Sequence, residues 1–332
     1  MKFAIIGGGS IGKRHLGNLI ATGVSPSDIL VVEPKADRIE ECRAKFGISE
    51  SYESIEQLPS TSIDAALVCS PTSFHIKQSL TMASRGAHLL IEKPLAHNLG
   101  DVDELKKLVA RKNIKVLIAY PFRFSEHALK FKEIITSQVA GQPLYIHGEF
   151  SEYLPDWHPW EDYRSFYMAK KSLGGGSLLD QSHIIDIAHW CFGPAKDVFG
   201  YNSQVSELEV ETDDIAEIQV RFITGLIGTI HQDMFGRKHS KYMEAKCTQG
   251  NVRWDVYDLS ANVFTAKDKK TKTYSFKGDH QIMYLNEISH FIDLCRGKTK
   301  EPLCTLEEGI HSMKIIDAVL RSQVSGRLEE VN

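Results

Sequence analysis

No apolar stretch of the chain reaches the roughly 20 residues that a membrane-spanning helix needs, so no membrane partner is expected. Long runs of lysine and arginine are missing too, and the formal charge is −4. A polyanion such as nucleic acid is therefore not an expected partner. Cysteine is sparse: Cys42, Cys69, Cys191, Cys247, Cys295 and Cys304 form no C-x-x-C pair and no compact Cys/His cluster. This spacing predicts no metal site and fits reduced thiols in a cytoplasmic protein. Internal repeats and low-complexity segments are absent. The first strand-like run begins at Phe3, so no leader peptide is expected. What the chain does have is 332 residues, 42% of them hydrophobic, which suits about two domains with sizeable cores.

The most informative stretch lies at the N-terminus. Phe3-Ala4-Ile5-Ile6 is an apolar run, followed by Gly7-Gly8-Gly9-Ser10-Ile11-Gly12 and a helix-like segment, Lys13 to Ala21. The glycines spell G-x-G-x-x-G at Gly7, Gly9 and Gly12. In a strand–turn–helix, the first permits a tight turn. The second lets a pyrophosphate approach the backbone, and the third lets helix and strand pack closely. Backbone N–H groups around Ser10 and Ile11 would then receive phosphates at the positive helix end. A second β-like run, Ile29–Val32, ends in Glu33, 21 residues past Gly12. An acid there accepts hydrogen bonds from ribose hydroxyls and repels a 2′-phosphate, which favours NAD over NADP. Lys35 or Arg38 could soften that preference.

Strands and helices alternate through the first 120 residues. Helices are expected at 36–46, 54–58, 74–84 and 102–110, and strands at 64–69, 88–91 and 115–119. Continuous apolar strands between helices predict a parallel, doubly wound Rossmann sheet, with ligands at the carboxyl ends of its strands. Beyond Tyr120 the pattern changes. Helices at 126–136, 178–191 and 306–322 accompany strands at 144–150, 215–223, 226–233, 242–248 and 251–256. Directly succeeding strands predict an antiparallel or mixed sheet in an α+β domain. The division expected is 1–122 for the nucleotide domain and 123–332 for a substrate-binding and oligomerisation domain.

Three groups of residues carry chemistry. Glu92-Lys93-Pro94 closes a strand of the nucleotide domain. A lysine there can stabilise a substrate alkoxide, although a lysine beside a turn is equally an ordinary surface residue. Asp180, His183 and Asp186 recur at three-residue spacing after Gly174-Gly175-Gly176, which puts them on one face of a continuous helix. His183 can act as general base; a hydrogen-bonded core histidine is the other reading. Trp157, Trp160, Tyr163 and Arg164 crowd one loop, which suits a sugar ring with anionic groups or a loop packing on itself.

Together these motifs resemble the glucose–fructose oxidoreductase/inositol dehydrogenase (Gfo/Idh/MocA) family along nearly the whole chain. The likeness takes in the glycine motif, Ser70-Pro71-Thr72 leading to His75, and Gly86-Ala87-His88 leading to Glu92-Lys93-Pro94. It continues through Arg123-Phe124, the Gly174–Asp186 segment and the Leu306–Arg327 tail. The resemblance implies an NAD(P)-dependent dehydrogenase acting on a CH–OH group, with a Rossmann domain and a C-terminal domain carrying a large, open, mostly antiparallel sheet. It implies that Lys93 assists the substrate hydroxyl, His183 is the base and Asp180 orients substrate. Ser70, Pro71, His75, Glu92, Lys93 and Arg123 would contact the cofactor, and Trp160, Tyr163 and Arg164 the substrate. Homodimers or homotetramers are implied. Two departures stand out: Asp180 and His183 lie three rather than four apart, and Pro121 replaces a frequent asparagine two residues before Arg123.

The aromatic loop is similar to a branch linked to bacterial surface sugars, so the expected reaction moves hydride between a sugar or nucleotide-sugar hydroxyl and the nicotinamide. Two alternatives share the scaffold: a non-enzymatic NAD-dependent sensor or co-repressor, and an enzyme that recycles its NAD during epimerisation or elimination.

Overall fold

A computed structural model describes every residue except 60, 61, 158, 160 and 279. The chain forms two compact units: residues 1–121 with 280–310, and residues 122–279 with 311–332.

The first unit alternates β1 (Phe3–Ile6), α1 (Ser10–Ala21), β2 (Ile29–Val32), α2 (Ala36–Phe46), β3 (Glu50–Tyr52), β4 (Ala65–Val68), α3 (His75–Ser84), β5 (His88–Glu92), α4 (Val102–Lys112) and β6 (Val116–Ala119). All residues of β1, β2, β4 and β6 are buried, as apolar strands covered on both faces must be. The sheet is parallel with order β3-β2-β1-β4-β5-β6. This order reverses direction beside β1, and such switch points are where doubly wound sheets take their ligands. The helix α2 stops at Gly47, whose left-handed φ of 70° lets its N–H close on Arg43 O.

The second unit holds α5 (Glu126–Ser137), β7 (Pro143–Tyr153), α6 (Ser177–Asp180), α7 (His183–Phe192), β8 (Ala195–Ser203), β9 (Ile215–Phe222), β10 (Ile227–Asp233), β11 (Phe235–Cys247), β12 (Gly250–Asp255), β13 (Ser260–Thr265) and β14 (Lys270–Ser275). The chain then adds α8 (Gln281–Cys295) to the first unit. It ends with α9 (Leu306–Ser325) and β15 (Glu329–Glu330). The second sheet has order β14-β13-β12-β11-β7-β10-β9-β8-β15, antiparallel except where β7 meets β10. In β9 buried residues alternate with exposed ones after the half-buried Ile215, so one face packs and the other is open.

Two expectations need correction. The sequence division at 122/123 omits the return of 280–310 to the first unit. The helix read over 178–191 is two helices, broken at Gln181-Ser182. At the break Gln181 O accepts from Gln232 Nε2 at 2.6 Å and from Ile184 N at 3.3 Å, a tightened i→i+3 bond in place of the regular i→i+4 one. The Gln181 side chain is itself fixed, donating to Asp233 O at 2.6 Å and accepting from Ser177 Oγ at 2.9 Å.

Candidate functional site

In the first unit, the glycine loop has the shape that a dinucleotide requires. Gly7 has φ +103°, and a Cβ there would stand 2.7 Å from Cys69 O. At Gly12 a Cβ would lie 1.9 Å from Gly7 O, so the helix can approach only without a side chain. Gly9 differs: a Cβ would find no neighbour nearer than Arg38 Nη1 at 3.7 Å. The protein leaves that side open, which is where a pyrophosphate has to approach. Gly9 caps α1 with no side-chain bond, so the first N–H groups at Ser10 and Ile11 face no capping side chain. Glu33 directly follows β2, buried, its carboxylate accepting from Gly8 N at 2.7 Å and Lys35 N at 3.0 Å. Arg38 lies 3.8 Å from the same carboxylate. These residues fit an NAD adenosine half: cradle, helix end and ribose-side acid are contiguous.

The other strand ends carry the remaining cofactor candidates. His75 joins the loops after β4 and β5, with Nε2 2.8 Å from Ser70 O and Nδ1 3.0 Å from Pro94 O. Burial lowers its pKa against the opposing pull of those carbonyls and of Glu92. Ser70 Oγ donates to Gln78 Oε1 at 2.6 Å, and Pro71 sits just ahead of the turn Thr72–Phe74. The Lys93-Pro94 peptide is cis. Glu92 holds the turn from below: it accepts from Lys93 N at 3.2 Å and pairs with His15 Nε2 at 2.6 Å. Beneath lies Glu287 of α8, fully buried, its carboxyl raised well above the usual range by burial and by Glu92. Neither His15 nor Glu287 stands out in the sequence. A histidine three residues after Gly12 is the one available signal for the first, and a glutamate on an otherwise apolar helical face for the second.

In the second unit, α6 ends at Asp180 and α7 begins at His183. Both are buried. The His183 ring stacks on Phe150, with centroids 6.0 Å apart and planes within 6°, and meets Phe122 at 4.9 Å. Lys241 Nζ stands 4.3 Å over the same Phe150. Asp180 accepts a hydrogen bond from the Tyr167 hydroxyl. Asp186 does not share this duty. It takes both Arg123 Nε at 2.9 Å and Nη2 at 2.7 Å, with His189 Nε2 at 3.4 Å. Burial would raise the Asp186 carboxyl, but Arg123 and His189 hold it below its ordinary value. Arg123, expected as a cofactor contact, is thus engaged by Asp186 and has no exposed surface.

The aromatic loop is largely self-satisfied. Arg164 pairs with Asp162 at 2.9 Å and with Glu209 at 2.8 Å, so its charge meets two carboxylates already. The Tyr163 hydroxyl accepts from Glu209 N at 3.2 Å, and its ring leans on the apolar cluster of Leu154, Phe166 and Met168. Trp160 lies outside the described residues. Among the described residues, no cluster of His, Cys, Asp and Glu could hold a metal ion, and no helix is long and apolar enough to cross a membrane.

Comparison with known proteins agrees with this architecture. Residues 1–120 match the model of an oxidoreductase family with an NAD-binding Rossmann fold, and residues 128–253 match the GFO/IDH/MocA C-terminal domain. The chain is 26% identical to myo-inositol 2-dehydrogenase of Thermotoga maritima, over 100% of this chain and 99% of that one. It is 25% identical to 1,5-anhydro-D-fructose reductase of Ensifer adhaerens, over 99% and 98% of the two chains. Among solved structures, levoglucosan dehydrogenase in complex with NADH and levoglucosan shares the fold, with TM-score 0.86, 21% identity and coverage of 100% and 99%. With both of its domains matched, the chain belongs to the Gfo/Idh/MocA family of NAD(P)-dependent oxidoreductases.

Proposed function

We propose that the protein oxidises a secondary hydroxyl of a sugar or related polyol with NAD, and reduces the matching ketone in reverse. The observation that carries this reading is the setting of His183. Its ring stacks on Phe150 and meets Phe122 at the start of α7, with Asp180 three residues ahead at the end of α6, where Tyr167 bonds it. When bound, the nicotinamide supplies the acceptor for the hydrogen and electron pair that leave the carbinol carbon. His183 takes the hydroxyl proton as general base. Lys93 donates a hydrogen bond to the same oxygen and stabilises its developing charge. Asp180 accepts from a neighbouring hydroxyl and fixes which carbon faces the cofactor. Relatives named for inositol, xylose and levoglucosan support a cyclic, hydroxyl-rich substrate. Glu33 supports NAD in preference to NADP, since an acid following the second strand repels a 2′-phosphate. Association of copies is read from Phe199 and Tyr201, exposed on the open face of the second sheet.

The test is NADH absorbance with a panel of inositols, free sugars and nucleotide sugars. Turnover is expected with at least one, and Lys93→Ala and His183→Ala should each lower kcat by about a hundredfold or more while NAD still binds. Near-normal turnover in both variants would remove the assignment.

A further inference from the structure

Asp180 is held by a residue outside its own helix. Tyr167 donates its phenolic hydrogen to Asp180 Oδ1. The short turn that carries it, Tyr167–Ala169, is fastened on several sides. Met168 O accepts from Gly176 N at 3.0 Å and from Thr212 Oγ1 at 2.9 Å. Ala169 O accepts from Glu211 N at 2.9 Å, and Lys170 O from Gly175 N at 3.2 Å. Met168 and Ala169 are buried in an apolar cluster with Leu154, Phe166 and Met234.

The glycine triplet explains how the turn gets so close. A Cβ on Gly175 would stand 2.3 Å from Met168 O and 2.5 Å from Tyr167 O. Gly176 has φ +112°, and a Cβ there would meet Asp213 Oδ1 at 2.3 Å. Asp213 completes the clamp: its Oδ2 accepts from Leu178 N at 2.8 Å and its backbone carbonyl from Ser177 N at 3.0 Å. The segment leading to Asp180 is therefore gripped between the Tyr167 turn and Asp213, through contacts to its backbone and its glycines.

We propose that Tyr167 is a positioning residue for the reaction: its hydroxyl fixes the plane of the Asp180 carboxylate, and Gly175 and Gly176 serve to dock its turn. With one oxygen tied to the phenol, the carboxylate presents a single orientation to a substrate hydroxyl. Loss of that bond changes the angle at which the carboxylate meets the substrate and misdirects the carbinol carbon. Small displacements of this kind cost large factors in rate. The inference rests on the reading of Asp180 as the substrate-orienting residue.

The experiment compares Tyr167→Phe, Asp180→Asn, the double variant and Gly175→Ala, using NAD with myo-inositol, D-xylose and levoglucosan as probes. Tyr167→Phe keeps the ring and its packing, so its melting temperature should stay within ~2 °C of the parent, with unchanged NAD affinity. Its kcat/KM should fall about tenfold or more, and Gly175→Ala should fall at least as far. In the Asp180→Asn background, Tyr167→Phe should cost less than about twofold, because the group it acts through is gone. An unaffected Tyr167→Phe beside an impaired Asp180→Asn overturns the inference, as does an equal loss in both backgrounds. Full activity of Asp180→Asn removes the underlying reading and this inference with it. Crystal structures of the parent and Tyr167→Phe give a readout that needs no substrate: a turned or disordered Asp180 carboxylate is expected, and an unchanged one overturns the proposal.

Discussion

Single atoms decide the behaviour of the glycine loop. Gly9 and Gly12 belong to one motif, yet their surroundings differ. Gly9→Ala meets nothing closer than 3.7 Å, so the cofactor-free protein should melt as the parent does. The methyl would still occupy the pyrophosphate approach, and NAD affinity should drop by about tenfold or more in calorimetry. Gly12→Ala drives a methyl to 1.9 Å from Gly7 O and should lower melting temperature and affinity together. Equal effects of the two would refute the division of roles. A second residue-scale test concerns pH. Burial first, then His189 and Lys314, lower the His311 pKa from 6.5 to about 4, and its Nε2 accepts from Ala195 N at 3.0 Å. Between those values the unfolded chain binds a proton that the native state refuses, so His311 makes stability fall as pH drops. Asp213 acts oppositely. Burial, aided by Asp214 and opposed by the Leu178 N–H and Asn202, lifts its carboxyl from 3.8 to about 6. Over that window the native state keeps a proton the unfolded chain releases, so stability falls as pH rises. Melting temperature against pH from 4 to 6.5 should therefore slope more steeply upward in Asp213→Asn and more downward in His311→Gln. Parallel curves for both variants and the parent would contradict the assignment.

Among the elements, the polar stripe of the 178–191 region shows what spacing can and cannot reveal. Three polar residues at intervals of three were legible as a set, and Asp180 and His183 do lie close in the chain around one turn. The interruption between them was not legible, because the groups that bind the break, Gln232 and Asp233, lie some fifty residues away. Nor was the separation of Asp186, which depends on Arg123 in a segment read as a cofactor contact. The fully buried Arg123–Asp186 pair makes a direct prediction. Removing one partner strands a buried charge, so Arg123→Met should cost about 3–5 kcal/mol in denaturant unfolding. Arg123→Met with Asp186→Leu should recover much of that loss, since an apolar pair strands nothing. NAD affinity should be unchanged in both. Weakened NAD binding without loss of stability would instead support Arg123 as a cofactor contact.

For the whole molecule, the order of elements in the first 120 residues was readable because each strand is a continuous apolar run between helices. The completion of that unit was not. Its last helix, α8, arrives after more than 150 residues of another unit, and local patterning carries no record of which core a helix joins. The polar strand Lys270–Ser275 just before it gives no warning, being exposed along most of its length. Yet α8 buries Met283, Ile288, Phe291, Ile292 and Leu294 along with Glu287. At roughly 1.5–3 kcal/mol for each apolar side chain, this contribution matches the whole stability of a typical domain, about 5–15 kcal/mol. The following segment is bound as closely: Ile118 N donates to Cys304 O at 3.1 Å, and a Cβ on Gly309 would lie 2.7 Å from Ile118 Cγ1. A fragment of residues 1–121 therefore contains every glycine and acid of the nucleotide motif but should neither unfold cooperatively nor bind NAD. Joining 1–121 to 280–310 through a flexible glycine–serine linker should restore both. Cooperative melting and NAD binding by 1–121 alone would show that the motif and its six strands suffice; restoration only with 280–310 would show that the Glu92–His15 support needs the α8 layer carrying Glu287.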